Sequence, residues 1–298
     1  MITVSALTKR YGDRIAVDDM TFEVAAGRVT GFVGPNGAGK STTMRMMVGL
    51  TRPDRGDVRY HGISYTRLLQ PARVVGSVLD ARAMHPGRTA RNHLRATAAL
   101  SAIPARRVDE VLGDVGLESA ADQRVGGFSL GMRQRLALAG ALLGEPEVLL
   151  LDEPSNGLDP DGIRWLRNSL SAFAAHGGTV FVSSHLSGEL EMFADDLIVV
   201  GGGRLVAAES VASALTRGQS TVIVRTPQAA ELASLLSRDD VEIGMSDDRL
   251  SIRGTTTATV SQVAFDHRIR VVEITESSRS LEEILLDMTG DVAEFASA

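Results

Sequence analysis

Gly34-Pro-Asn-Gly-Ala-Gly-Lys-Ser-Thr42 fills every fixed position of the pattern Gly-x-x-x-x-Gly-Lys-Ser/Thr. Gly34, Gly37 and Gly39 carry no Cβ, so the backbone can bend around phosphate oxygens and aim N–H groups at them. A helix expected to begin near Lys40 turns the positive end of its dipole toward the same place. The Lys40 ammonium can reach β- and γ-phosphates, and the Ser41 hydroxyl can ligate Mg2+. The flanks agree with this reading. Val29-Thr-Gly-Phe-Val33 is a short apolar strand before the loop, and Thr42 to Leu50 is a helix-like run after it. The chain is therefore expected to bind a nucleoside triphosphate through Gly34, Asn36, Gly37, Ala38, Gly39, Lys40, Ser41 and Thr42.

A chain of 298 residues, 44% of them hydrophobic, can bury one large or two medium cores. It has no cysteine, which excludes disulfides, thiol chemistry and cysteine-held metals. The net charge of −6 makes no case for direct nucleic-acid binding. Arginine supplies nearly all the positive charge, because Lys9 and Lys40 are the only lysines. The first residues lack the long apolar core of a secretory signal. No stretch reaches the ~18 consecutive apolar residues of a spanning helix. The most apolar run, Leu197 to Ala208, is broken by three glycines and Arg204. The chain is not expected to cross a membrane by itself.

Residues 1–33 alternate as strands do, with turns at Tyr11-Gly-Asp13 and Ala26-Gly27, and Gly56 to Gly62 continues that character. Residues about 86–145 read as a helical subdomain, with helices over Arg91–Ile103, Arg106–Val115 and Met132–Leu143. Apolar strands follow at Glu147–Leu151, Thr179–Ser183, Asp195–Val200 and Gly203–Ala207, which suggests a buried, mostly parallel sheet. Beyond Arg217 the pattern restarts. Strands are expected at Thr221–Arg225, Val241–Gly244, Arg249–Arg253 and Ile269–Ile274. Helices are expected at Gln228–Leu236, Thr257–Phe265 and Leu281–Met288. The order β-α-β-β-α-β is that of a split βαβ domain. Two domains are thus expected, over 1–217 and 218–298, and the second shows no catalytic or metal-binding constellation.

Residues 146–161 read Pro-Glu-Val-Leu-Leu-Leu-Asp-Glu-Pro-Ser-Asn-Gly-Leu-Asp-Pro-Asp. An apolar strand that ends in two acids suits magnesium-nucleotide chemistry, although such a pair alone would equally suit a polar strand terminus. Asp152 at the strand tip can hold Mg2+, and Glu153 can orient or deprotonate an attacking water. Residues 128–135 read Phe-Ser-Leu-Gly-Met-Arg-Gln-Arg, followed by an Ala/Leu-rich run. With these motifs in this order, residues 1 to about 215 resemble the ATP-binding subunit of an ATP-binding cassette (ABC) transporter, of the exporter (ABC-2-like) type.

The resemblance implies an α/β cassette: a mostly parallel sheet core, an antiparallel β subdomain and a helical subdomain, here followed by a small ferredoxin-like α+β domain. It implies ATP and Mg2+ as ligands. Ser129 and Gly131 match the family's signature Leu-Ser-Gly-Gly-Gln, whose helix faces the γ-phosphate held by the opposite subunit. Phe128, Leu130 and Met132 depart from it. Tyr11 corresponds to the aromatic that stacks on adenine, with Val17 as a second contact. Asp159, in Asn156-Gly-Leu-Asp-Pro160, corresponds to the acid of a loop that crosses the dimer interface. His185 corresponds to the histidine that contacts the γ-phosphate. Asp80 stands where the family usually has the glutamine that links metal and water to the membrane partner. His85 to His93 resembles the segment that meets the permease, and no nearby carboxylate completes a metal set with those two histidines.

The implied working form is a pair of cassettes, most simply a homodimer, joined to a separate transmembrane permease. That places the chain in the cytoplasm, peripheral at the cytoplasmic face of the cell membrane. Cargoes of such exporters are drugs, antibiotics, lipids or polysaccharides. Two alternatives are a soluble non-transport ABC ATPase and a nucleotide-gated switch with little turnover. The 218–298 segment is expected to be accessory, in dimerisation or regulation.

Overall fold

The computed structural model describes residues 1–81, 83–184, 187–217, 221–237, 241–277 and 280–294. Two compact units form, one built on Met1–Val211 and one on Ala212–Leu286.

The first unit is organised by the strand that precedes the glycine-rich loop. Val29–Val33 is buried at every residue. It pairs in parallel with Thr179–Ser184 on one side and with Asp196–Gly201 on the other. Thr179–Ser184 pairs in parallel with Val148–Asp152, which pairs with the edge strand Val75–Val78. Arg204–Ser210 ends the opposite edge, antiparallel to Asp196–Gly201. Strands covered on both faces need continuous apolar runs rather than alternation, and Val148-Leu-Leu-Leu151 is such a run.

A second, antiparallel sheet has the order Arg14–Val24, Ile2–Tyr11, Arg55–Tyr60, Ile63–Ser64. Phe22 from this sheet meets Phe32 and Phe181 from the parallel sheet, each with ring centroids 5.8 Å apart, and those two rings lie 4.9 Å from each other. The Lys40–Met47 helix adds Met44, Met46 and Met47 to the same core. A helical layer has its own core. Ala90–Leu100, Arg106–Asp114 and Leu130–Leu142 pack around Leu94, Val111, Leu112, Leu136 and Leu143. The last of these helices starts two residues before the expected Met132, because Ser129 caps it: the Ser129 Oγ accepts a hydrogen bond from the Met132 N–H at 3.2 Å.

The second unit is a four-stranded antiparallel sheet in the order Glu242–Ser246, Arg249–Arg253, Thr221–Arg225, Glu273–Ser277. This is the ferredoxin-like order of a split βαβ pattern. Ala229–Leu236 and Thr257–Asp266 bring Leu232, Leu236, Val260 and Ala264 into a core with Val222, Val224, Leu250 and Ile252. The expected strand Ile269–Ile274 is displaced to Glu273–Ser277. Arg268 lies at φ +55, and the Ile269 N–H donates to the Ala264 carbonyl at 2.8 Å. Ile269 therefore finishes the preceding helix and enters the core, and pairing begins only at Glu273 opposite Arg225. Of the apolar run there, Ile269 is buried in the connection while Val272 is exposed, so the run does not mark a strand. The final helix is Leu281–Glu294. Among the described residues no helix is long and apolar enough to cross a membrane.

Candidate functional site

Three neighbouring parallel strands deliver the candidate residues to one sheet edge. Val33 pairs with Ser184, and Asp152 pairs with Ser183. The loop of residues 34–39, the Ser183-Ser184 pair and the Asp152-Glu153 pair thus leave the sheet side by side, where open α/β sheets place their ligands.

The loop has the shape of an anion cradle. Gly39 caps the Lys40–Met47 helix at φ +96, a conformation that strains any residue with a Cβ. A Cβ at Gly39 would also stand 2.4 Å from the Ala16 carbonyl oxygen. The Lys40 Nζ donates to the carbonyls of Gly34 at 2.6 Å and Pro35 at 3.3 Å. Burial pulls the Lys40 pKa below its ordinary value, while the nearby charges of Glu153 and then Asp152 act in the opposite direction. A buried cation held by loop carbonyls, with two carboxylate charges nearby, is well placed to take phosphate oxygens.

Beside the loop a cavity of about 310 Å³ is lined by Tyr11, Arg14, Ala16, Gly37, Ala38, Gly39, Lys40, Ser41 and Thr42. Tyr11 is half exposed at the end of the Ile2–Tyr11 strand, opposite Arg14. Gly34 and Asn36 lie on the same loop without lining this cavity, and Gly34 instead supplies a carbonyl to Lys40. Val17, expected as a second adenine contact, is fully buried in the core, and Ala16 lines the cavity in its place. Successive strand residues face opposite sides, so Val17 turns inward and Ala16 outward.

Ser183 joins the two acids. Its hydroxyl donates to Asp152 Oδ1 at 2.5 Å and accepts from the Glu153 N–H at 2.9 Å. Glu153 itself sits at φ +49, a left-handed conformation that costs a non-glycine residue of order 1–3 kcal/mol. Asp80 lies exposed just beyond the Val75–Val78 strand, at the same sheet edge as Asp152, because Val78 pairs with Leu151. His185 lies outside the described residues. Among the described residues no cluster of three or more His, Asp or Glu could hold a metal ion, and His85 Nδ1 accepts from the Gly87 N–H.

Ser129 and Asp159 are both helix N-caps. Asp159 Oδ1 accepts from the Gly162 N–H at 2.7 Å and starts the Pro160–Ala175 helix. Behind them the buried Gln134 amide donates to the Pro154 carbonyl at 2.6 Å, tying the Leu130–Leu142 helix to the residue after Glu153. Sequence reasoning missed Arg14, Ser183 and Gln134. The signals available were a cation three residues after Tyr11, two serines at the tip of an apolar strand, and a glutamine within an Ala/Leu-rich helix.

The donors fit a magnesium-bound triphosphate. The glycines hold left-handed turns and close backbone approaches that a Cβ would strain, the buried Lys40 supplies charge, and Ser41 with Asp152 offers hard oxygen ligands.

Comparison with known proteins agrees with this geometry. A family model described as ABC transporter matches residues 17–156, and one described as a domain of unknown function matches residues 220–282. The uncharacterized ABC transporter ATP-binding protein YhcH of Bacillus subtilis (strain 168) is 34% identical over 297 residues, spanning 99% of this chain and 97% of that protein. The bacitracin transport ATP-binding protein BcrA of Bacillus licheniformis is 40% identical over 209 residues, 69% of this chain and 68% of that protein. A solved structure of an ATP binding subunit of an ABC transporter superposes with a TM-score of 0.66 at 27% identity, covering 73% of this chain and 92% of that one. The chain belongs to the family of ABC transporter ATP-binding proteins.

Proposed function

We propose that this chain binds and hydrolyses ATP as one of a pair of cassettes and that the pair drives export through a separate membrane permease. The observation that carries this reading is the convergence of Lys40 with Asp152 and Glu153 at one sheet edge. Lys40 and the loop N–H groups hold the β- and γ-phosphates, while Tyr11 packs on the base from the cavity wall. Arg14 adds a second cation at the rim of that cavity. Ser41 and Asp152 would hold Mg2+, with Asp80 on the neighbouring turn, and the ion supplies neutralisation of charge on the β- and γ-oxygens. Glu153 takes the proton of the attacking water, and the Ser183 hydroxyl fixes the backbone from which it works. His185, one residue past Ser184, is assigned to the γ-phosphate.

Pairing of two chains is favoured by Gly131. A Cβ there would meet only ordinary contacts within the chain, 3.5 Å from Leu158 and 3.9 Å from Ser129. Among the described residues nothing demands glycine there, whereas a nucleotide presented by a second chain to the Ser129-capped helix would. Asp159 then works at the same interface. An identical partner makes the assembly a twofold dimer.

The net charge of −6 makes no case for direct nucleic-acid binding, and the chain works at the cytoplasmic face of the membrane through its permease. The cargo class best supported is an antibiotic or related drug, given the name of the BcrA relative. The Ala212–Leu286 unit is accessory and favours pairing.

The test is Glu153→Gln. Magnesium-dependent ATP turnover is expected to fall by at least ~100-fold, with an ATP-bound dimer accumulating on a sizing column. Unchanged turnover would overturn the assignment. No turnover by the unsubstituted chain with its permease would favour a nucleotide-gated switch.

A further inference from the structure

The dipeptide Leu130-Gly131 and the dipeptide Gly157-Leu158 pack against each other in opposite sense. A Cβ on Gly157 would stand 2.1 Å from Leu130 Cδ2 and 3.3 Å from its Cγ, so the leucine occupies the space that the glycine leaves open. In return, Leu158 Cδ2 lies 3.5 Å from where a Cβ of Gly131 would be, and equally 3.5 Å from that of Gly162. Leu158 thus sits between the first turns of two helices, Leu130–Leu142 and Pro160–Ala175, which Ser129 and Asp159 cap. Gly157 holds φ +73, the conformation that turns the chain back toward Leu130. Leu130 remains 41% exposed, so core burial alone does not explain a leucine there.

We propose that these residues form a lock in which Leu130 fills the space left open by Gly157 while Leu158 packs in ordinary contact beside Gly131. The lock makes the start of the Leu130–Leu142 helix and the Asn156–Asp159 turn move as one body, with Leu130 as a positioning residue for ATP turnover. The buried Gln134–Pro154 hydrogen bond anchors its rear. Pro154 follows Glu153 directly, so a shift of Glu153 in one nucleotide site passes along Pro154–Leu158 to Ser129 and Asp159, which face the other. The lock also explains why a leucine is accommodated at position 130 of the signature stretch: it comes with a glycine at 157. This inference rests on the paired-cassette reading above.

The test is a double-substitution cycle of Leu130→Gly, Gly157→Ala and the two combined. The backbone strain of alanine at φ +73 is common to both backgrounds and cancels in the cycle. Gly157→Ala is expected to lower kcat about tenfold alone and only about twofold in the Leu130→Gly background, since contacting residues couple. The KM for magnesium ATP should change less than kcat, because the phosphate loop is untouched. Amide exchange at Asn156 and Leu158 should quicken in Leu130→Gly, and in the milder Leu130→Ala if the glycine variant folds poorly. Multiplicative kcat effects with unchanged amide exchange would overturn the lock. If the unsubstituted chain shows no turnover, the hydrolytic reading fails, and the exchange measurement alone then decides the lock.

Discussion

In the Met1–Val211 unit, Val29–Val33, Thr179–Ser184 and Val148–Asp152 run the same way and release the chain at one sheet edge. In the Ala212–Leu286 unit every strand runs against its neighbour. Parallel pairing gathers the turns that follow different strands, so Gly34, Asp152 and Ser184 become neighbours although more than a hundred residues separate the first from the second. Antiparallel pairing sends the turns of adjacent strands to opposite ends. The charges on the second sheet pair across strands instead, Arg225 with Glu273 and Arg253 with Glu242, both at 3.5 Å and largely exposed. Such pairs are worth at most about 1 kcal/mol. One sheet is arranged to hold a reaction, and the other to hold itself together.

Two substitutions separate those roles. Leu250→Asp places a charge in the fully buried core of the second unit. It should destabilise that unit by several kcal/mol, since an isolated buried carboxylate cannot be solvated. Amide exchange in residues 221–277 should rise toward that of an open chain. Self-association should weaken, while ATP binding at the phosphate loop persists. Undiminished self-association would remove the pairing role from this unit. Ser183→Ala has the smaller effect, confined to the first unit. It leaves the Glu153 N–H and Asp152 Oδ1 without their shared partner, a loss of about 1–3 kcal/mol for buried polar groups. The kcat for ATP should drop roughly tenfold or more, with melting temperature lowered by about 2–4 °C for each kcal/mol lost. A kcat within twofold of the unsubstituted chain would mean that Ser183 does not position the acids.

What was legible in the chain follows the same division. The phosphate loop and the acid pair could be read because each is contiguous, with spacing set by what it holds. The buried parallel strands could be read because burial on both faces leaves unbroken apolar runs. Ser183 could not be assigned a role, because its partners Asp152 and Glu153 lie about thirty residues away and meet it only through strand pairing. Gln134 was hidden for the same reason, since its partner is a carbonyl twenty residues on. Val17 was misplaced by one step of strand alternation, an error the pattern Ile15-Ala-Val17 does not resolve, because apolar residues fall on both faces. The Ile269–Ile274 run misled because its apolar residues do not share one element: Ile269 closes the preceding helix and is buried, Val272 is exposed, and pairing starts at Glu273.

The finest test concerns the charge at the centre of the site. Lys40 is buried, and that burial lowers its pKa despite the pull of Glu153 and Asp152. Phosphate oxygens favour the ammonium, so the nucleotide complex holds this proton more tightly than the free protein does. Affinity for ATP should therefore be nearly flat through neutral pH and decline as pH rises through the lowered pKa, by no more than about tenfold per pH unit. Stability moves the other way. The unfolded chain keeps the ordinary lysine pKa, so it binds more protons than the folded chain between the two values, and the folding cost of the buried charge shrinks as pH rises through them. Burial pushes the Tyr60 phenol up, which erodes stability at alkaline pH through a separate route, so the quantity to follow is the difference between the unsubstituted chain and Lys40→Met. That difference should shift toward the unsubstituted chain with rising pH while its ATP affinity falls. Two curves moving together would mean that a group other than Lys40 carries the charge that meets the phosphates.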